Sequence, residues 1–427
     1  MLTPAWVRCV FAPLRGVGGV DLALLRCGCT ALRCGWAWPG LAWPGLALLC
    51  CVAAVRGLGG AGAVWVRCVV VGGVVVGVAC LVALSYLWVV GRVLSLVLGA
   101  VGVVSQYVAS VGGAGVPVEE LLVGDRVVRV TNPQRVYFSA RGETKLDLAR
   151  YYLSVGSGVV NALRERPCMM HRFPGGVDGE KVHQKRLPRG APPWVETVRV
   201  HFPRYGRHAD ELCVTELASV IWAVQMSCVE FHPWNSRRVD TEKPDEWRID
   251  LDPMPGATFD TVRQVALVVR EVLDELGAVG FPKTSGGKGL HIYVRVLPSF
   301  GFSDVRRAAH AFAREVERRA SGLVDLTWWR KDRDPSTVFV DYNQNARDHT
   351  IRSAYSVIGV PEARVSTPIR WDEVADVDPR DFTIATVPKR FAEVGDLHAS
   401  IDSEVFDLRV LLEWADRDGQ DIPDLDE

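Results

Sequence analysis

The stretch W-R-I-D-L-D-P-M-P-G, residues 247–256, places Asp250 and Asp252 two positions apart inside an apolar strand pattern. Side chains in a strand alternate between faces, so both carboxylates share one face while Ile249 and Leu251 share the other. Adjacent like charges are unfavourable unless something positive sits between them. Pro253 ends the strand, and a carboxylate pair at a strand end suits a divalent cation with oxygen ligands. Taken alone, D-x-D is weak evidence, because most such pairs are solvated strand or turn positions.

Two further segments supply complementary chemistry. K-T-S-G-G-K-G-L-H, residues 283–291, has glycines that let backbone N–H groups turn towards an anion, and Ser285, Lys288 and His291 add donors. It is not a Walker loop, since Gly289 and Leu290 follow Lys288 where that motif has Ser or Thr. By itself it also reads as a glycine-rich turn feeding a strand, with His291 on the face of Tyr293 as a core histidine. Asp341 closes the apolar run V-F-V before N-Q-N, and alone it is an ordinary strand-end turn residue. Together, two paired acids, an anion loop and a third strand-end acid describe a metal–triphosphate site.

The order of elements around these segments is mixed. Strands are predicted over the D-R-V-V-R-V-T run at 125–131, at 168–173, near 183–186, at 197–202, at 229–234 and at 289–296, and in the S-T-V-F-V run. Helices are predicted over 142–153, from Glu211 to Met226, from an N-cap at Thr258 to Gly277, over 303–320 and over about 402–416. T-I-R-S-A-Y-S-V is expected to be the hairpin partner of S-T-V-F-V. The implied class is α/β (α+β), with a mixed, partly antiparallel sheet flanked by helices.

Composition separates the first 115 of the 427 residues from the rest. They contain no Lys, Glu, Asn, His or Ile, and they hold seven Arg against one acid, Asp21, with eight of the eleven Cys. No ordinary soluble domain omits five common residue types over such a length. Arg8, Arg15, Arg26 and Arg33 interrupt any secretory core. The segment reads as a G+C-rich upstream region translated in a chance frame, with the genuine start near Val116 or Val118. The alternative is a membrane segment in the uncharged stretch 68–91. The first 115 residues carry +6 and the remainder −7 of the net −1, which is not the global basic signature of a nucleic-acid binder. Only Cys168, Cys213 and Cys228 remain beyond residue 115, with no pair at metal-ligand spacing, so a reducing, cytoplasmic setting is expected.

R-I-D-L-D-P, S-G-G-K-G-L-H and V-D-Y-N-Q-N, in this order, resemble the polymerase domain of bacterial ATP-dependent ligase D. They are equally similar to its stand-alone, actinobacterial-type primase-polymerase relatives in the archaeo-eukaryotic primase superfamily. The resemblance covers 119–420 and includes N-P-x-[K/R]-V near 132 and the A-Y-S-V and R-W-D-E-V stretches near 354 and 370.

The resemblance implies template-directed nucleotide addition in DNA repair, with gap filling during non-homologous end joining and tolerance of ribonucleotides. It implies that Asp250, Asp252 and Asp341 hold two Mg²⁺ or Mn²⁺ ions, that Ser285, Lys288 and His291 bind the triphosphate, and that His232 lies near the nucleotide sugar. Arg135 and Lys145 would grip a DNA 5′-phosphate, Arg135 standing where the family usually has Lys. No ligase or nuclease module is expected in the chain, so a separate ligase and an end-binding partner such as Ku are implied. Val182 and His183 replace two aromatics that stack on template DNA, a loss worth about 1–3 kcal/mol per base. Ile358 stands where the family usually has an Arg that meets the triphosphate, with Arg352 or Lys288 as candidate substitutes. Two competing readings follow: a non-catalytic DNA-end binding module, motivated by Ile358, and a D-x-D glycosyltransferase, which leaves Arg135, Lys145 and the third acid unexplained.

Overall fold

The computed structural model describes residues 116–419 and 422, together with three backbone strands, Gly28–Leu32, Leu48–Gly57 and Gly60–Arg67. The chain divides into two compact units, Met1–Ala109 and Ser110–Glu427. In the first unit the three strands pair in chain order as an antiparallel sheet. The stretch 68–91 lies outside the described residues. Among the described residues no helix is long and apolar enough to cross a membrane.

The second unit is built on two sheets. The first contains β1 (Pro167–Arg172), β2 (Val182–Gln184), β3 (Thr197–Phe202), β4 (Arg207–Cys213) and β5 (Cys228–Pro233), all antiparallel, with β1 between β4 and β5. The second contains β6 (Glu246–Pro253), β7 (Phe281–Thr284), β8 (Leu290–Val296), β9 (Val338–Val340) and β10 (Val405–Phe406). Its order is β7-β8-β6-β9, antiparallel throughout, and β10 joins β8 in parallel. The α+β class with a mixed sheet is therefore what the chain adopts.

Period-two patterning decides the faces of the second sheet. Trp247, Ile249 and Leu251 of β6 and Leu290, Ile292, Val294 and Val296 of β8 enter one apolar core. Helices α1 (Phe259–Leu276) and α2 (Phe302–Arg319) complete that core with Val262, Val265, Val269, Val305 and Phe312, among others. Trp247 meets Phe312 edge to face, with ring centroids 4.7 Å apart. Thr258 caps α1 by accepting from the Thr261 amide, and Gly277 ends it in the left-handed conformation, as its sequence predicts.

The opposite face of β6 is polar, because Glu246, Arg248, Asp250 and Asp252 all project there. A buried ion network secures its start. Arg166 contacts Asp245 at 2.7 Å and Glu246 at 3.4 Å, and Arg248 contacts Glu246 at 2.8 Å. Arg295 joins from β8, at 3.4 Å from Glu246 and 2.9 Å from Asp402. Arg248 also donates to the carbonyls of Pro233 and Trp234 at 2.9 and 3.0 Å, which ties β6 to the end of β5 and so joins the two sheets.

Three expectations fail locally. Glu211–Cys213 belong to β4, which pairs along its length with β3, and the helix starts only at Leu217 and runs to Gln225. The apolar run L-A-S-V-I-W-A-V that follows extends the helical pattern back over Glu211–Cys213, whose pairing with β3 has no local signature. T-I-R-S-A-Y-S-V forms no strand; its only ladder contact is an isolated bridge from Val357 to Val365. The outer edge of β9, which a hairpin partner would need, is instead taken by the chain at Leu323–Asp325: the Val338 N–H donates to the Leu323 carbonyl at 2.8 Å and the Asp325 N–H to the Val338 carbonyl at 3.3 Å. Asn345 closes β6 beyond β9, its amide exchanging 2.8 Å hydrogen bonds with the backbone N–H and C=O of Arg248. The last helix begins at Arg409, after a short turn at Ile401–Ser403 and β10.

Burial alone would raise the Glu246 carboxyl, but Arg166, Arg248 and Arg295 hold it well below the ordinary carboxylate range. Its stabilising charge is present above that range and is lost only as pH falls through its depressed value. Glu246→Gln leaves three buried guanidiniums short of an anion and is expected to cost about 3–5 kcal/mol, measured as a lower urea midpoint at neutral pH.

Candidate active site

The acids converge because of register. Asp250 pairs with His291 on one side of β6, and Leu251 and Asp252 pair with Val340 and Phe339 on the other. Asp341 directly follows β9, and its N–H donates to the Asp250 carbonyl at 2.8 Å. One ligand oxygen from each of Asp250, Asp252 and Asp341 lies within 4.8 Å of the others. The run Y-N-Q-N after Asp341 holds it: the Asn343 amide and the Gln344 side chain donate to its two oxygens at 2.9 and 3.3 Å.

Electrostatics mark this cluster as incomplete without a cation. Burial, then the charges of Asp252 and Asp341, push Asp250 well above its ordinary pKa. Asp252 is raised by burial and Asp341, and Asp341 by burial. Asp250 Oδ1 is buried and accepts no hydrogen bond. Three converging carboxylates with an orphaned buried oxygen fit a hard divalent ion.

The glycine loop faces them across a cleft. Ser285 Oγ accepts from the amides of Gly287 and Gly289 at 3.0 and 3.1 Å, which winds the loop around the hydroxyl. Gly286 has φ +76°, and a Cβ on Gly289 would lie 2.3 Å from the Leu251 carbonyl, so the loop packs directly on β6. Lys288 is exposed at the cleft, while His291 is buried with Nε2 3.3 Å from Asp250 Oδ1. Ser285, Lys288, His291, His232, Asp250 and Asp252 all line this one cleft.

His232 enters from β5, where Glu230 shares its face. Glu230 Oε2 accepts from His232 Nε2 at 2.8 Å and from His171 Nδ1 at 2.9 Å, and Glu230 Oε1 accepts from the Gly359 amide at 2.8 Å. Burial would raise Glu230, but the two histidine hydrogen bonds and Arg352 hold it far below the carboxylate range. Burial lowers His232 to about 3, so its ring is neutral. His183, at the position of the expected stacking aromatics, is exposed and lies on His171, with centroids 4.3 Å apart. His171 in turn lies 3.7 Å from His232, giving a continuous run of three rings.

Two cleft cations were not among the primary site residues read from sequence. Arg330 lies in the W-W-R-K-D-R loop, and its charge lowers Asp252. Arg352 donates to the Ser285 carbonyl at 2.8 Å and lies 3.4 Å from Glu230. Ile358 is buried behind the loop, where a Cβ on Gly286 would lie 2.3 Å from its Cδ1. The V-E-F-H alternation carried the signal for Glu230, since it repeats the period-two logic of the Asp pair. Arg352 is offered by the sequence only through the resemblance, as a substitute for the arginine absent at Ile358.

Arg135 and Lys145 meet at a different place and do not line the cleft. The Lys145 N–H donates to the Arg135 carbonyl at 2.8 Å, beside the Thr144–Asp147 capping box of the helix Lys145–Ser154. Lys145 is buried, with Nζ on the Thr131 carbonyl at 3.1 Å and Gln225 Oε1 at 2.8 Å. Burial, Arg135 and Arg172 lower it to about 8.

Residues 144–398 match the family model described as the LigD primase-polymerase domain. The chain belongs to this family. Among its LigD relatives is the multifunctional non-homologous end joining protein of Mycolicibacterium smegmatis, 32% identical over 65% of this chain and 36% of that protein. The Pseudomonas aeruginosa protein of the same description is 30% identical over 62% of this chain and 32% of its own length. This chain thus spans about a third of the length of these two relatives. The solved polymerase domain of Mycobacterium tuberculosis ligase D in complex with DNA matches with a TM-score of 0.61 and 29% identity. That match covers 65% of this chain and 98% of the solved one.

The repulsion among the acids gives a direct test of their pairing. Raised carboxyl pKa values mean that stability falls as pH rises from the unfolded value through the folded one. Asp250→Asn should therefore raise the melting temperature of the metal-free protein at pH 7. Mn²⁺ is expected to raise the melting temperature of the wild type further and to leave that of Asp250→Asn unchanged, both read by scanning calorimetry.

Proposed function

We propose that this LigD-family chain is a metal-dependent, template-directed nucleotidyltransferase that fills gaps at DNA breaks during non-homologous end joining and accepts ribonucleotides. The observation that carries this reading is that Asp250 and Asp252 line one cleft with the Ser285–His291 loop, and that Asp341 converges on the pair with one oxygen from each acid within 4.8 Å of the others. The three carboxylates would hold Mg²⁺ or Mn²⁺, whose chemistry there is activation of a primer 3′-hydroxyl and neutralisation of triphosphate charge. Around them, Lys288, Arg352 and the loop amides bind phosphate oxygens, and His291 borders the same space. His232, held by Glu230, borders the sugar. Arg352 stands in the cleft to meet the triphosphate in place of the Arg that the family carries at the position of Ile358. Arg135 and Lys145 grip a 5′-phosphate at a separate corner, with Arg172 adding charge. A separate ligase and an end-binding protein such as Ku complete the repair reaction as partners.

Manganese-dependent primer extension on a gapped duplex tests this reading with the full chain. Asp250→Ala removes a metal ligand worth several kcal/mol and should lower extension by about 10³-fold or more, while gapped-DNA binding persists. Unchanged extension would sink the assignment. A wild-type protein that binds 5′-phosphorylated ends but extends no primer would instead be an end-binding module.

Lys145 gives the corner its own pH signature. Because its pKa is lowered to about 8, affinity for a 5′-phosphorylated over a 5′-hydroxyl end should decline as pH rises above 8, well before an ordinary lysine deprotonates. Fluorescence anisotropy with the two ends measures the difference.

A further inference from the structure

Away from the cleft, the corner that holds Lys145 is organised from one place, the C-terminal turn of the helix Leu217–Gln225. Lys145 Nζ donates to Gln225 Oε1 at 2.8 Å, and Arg172 Nε donates to the carbonyl of Met226, the next residue. The same turn reaches the strand Arg126–Thr131. The Thr131 N–H donates to Gln225 Oε1 at 2.7 Å, and Gln225 Nε2 donates to Thr131 Oγ1 at 2.8 Å. The Thr131 carbonyl closes the ring of contacts by accepting from Lys145 Nζ at 3.1 Å.

These bonds fix the orientation of the Gln225 amide. A backbone N–H and an ammonium only donate, so Thr131 and Lys145 both require the amide oxygen, and the NH₂ is left for the Thr131 hydroxyl. Lys145 is 4% exposed, yet both of its acceptors are neutral, and the charges acting on it are those of the cations Arg135 and Arg172. Two acceptors for three N–H groups leave one donor over. A mostly buried ammonium set among neutral acceptors and two guanidiniums is a place for an anion. A glutamate in place of Gln225 could accept the same two hydrogen bonds, with the Thr131 hydroxyl turning to donate to its second oxygen. The difference between the two side chains is then one negative charge beside the lysine.

We propose that Gln225 is a positioning residue that sets the preference of this corner for a 5′-phosphorylated end: its neutral amide holds the Lys145 ammonium in place without cancelling the charge that a phosphate needs. The inference rests on the reading of the corner as a 5′-phosphate site. Gln225 acts through Lys145, while the Met226 carbonyl brings Arg172 to the same helix end.

Fluorescence anisotropy on the full chain at pH 7 tests this, comparing a gapped duplex that carries a 5′-phosphate with the same duplex ending in a 5′-hydroxyl. Lys145→Ala should lower the wild-type preference for phosphate by about tenfold, the scale of one charge-assisted hydrogen bond. Gln225→Glu should lower it by about the same factor while its melting temperature stays at or above that of the wild type. The preference that remains should persist to higher pH than in the wild type, because the added carboxylate holds the proton on Lys145. A role confined to packing would lower the melting temperature and leave the pH dependence where it is. Gln225→Ala, which removes the acceptor without adding charge, should lower both the preference and the melting temperature. An unchanged preference in Gln225→Glu or in a folded Gln225→Ala overturns the proposal. Failure of Gln225→Glu to fold also overturns it, since the hydrogen bonds admit a carboxylate; should Gln225→Ala fail to fold, Gln225→Glu decides. If Lys145→Ala leaves the preference unchanged, the reading of the corner falls and the inference with it. If Lys145→Ala lowers the preference and Gln225→Glu does not, the inference alone falls.

Discussion

Three carboxylates brought within 4.8 Å of one another, one of them with an orphaned buried oxygen, are the constraint around which this domain is organised. In a partly dry site such a cluster repels itself, and burial adds to the cost of each charge. Apolar packing on the opposite face of β6 holds the cluster together. Trp247, Ile249 and Leu251 lock the strand against α1 and α2, so the acids cannot separate without opening the core. The buried Glu246–arginine network fixes the same strand at its start and joins it to the first sheet.

Basic side chains surround the acids in different settings. Arg352 and Arg330 stand in the cleft, Lys283 is buried against His291, and Lys288 is exposed on the loop. On the first sheet, the single carboxylate of Glu230 aligns His171, His232 and Arg352.

The three motifs were legible because each couples a chemical residue to a local rule. Asp250 and Asp252 share a face by strand alternation, Gly286 and Gly289 permit the tight loop, and Asp341 closes a short apolar strand. Thr258 and Gly277 bounded α1 for equally local reasons. Legibility failed where partners lie far along the chain. Glu211 reads as helical because its pairing with Val198 is invisible locally, and 350–357 reads as a hairpin strand although Leu323–Asp325, earlier in the chain, takes the edge of β9 that it would need. Ile358 reads as a lost contact in the sequence, whereas in the fold it packs behind Gly286 and Arg352 enters the cleft.

What the sequence determined by itself is therefore the inventory and its local geometry: which strand faces carry charge, and where the loop turns. Only the tertiary structure decided which cations stand near them and how close the acids come. Those are matters of register between strands and of buried hydrogen-bond partners tens of residues apart, and no local period encodes them.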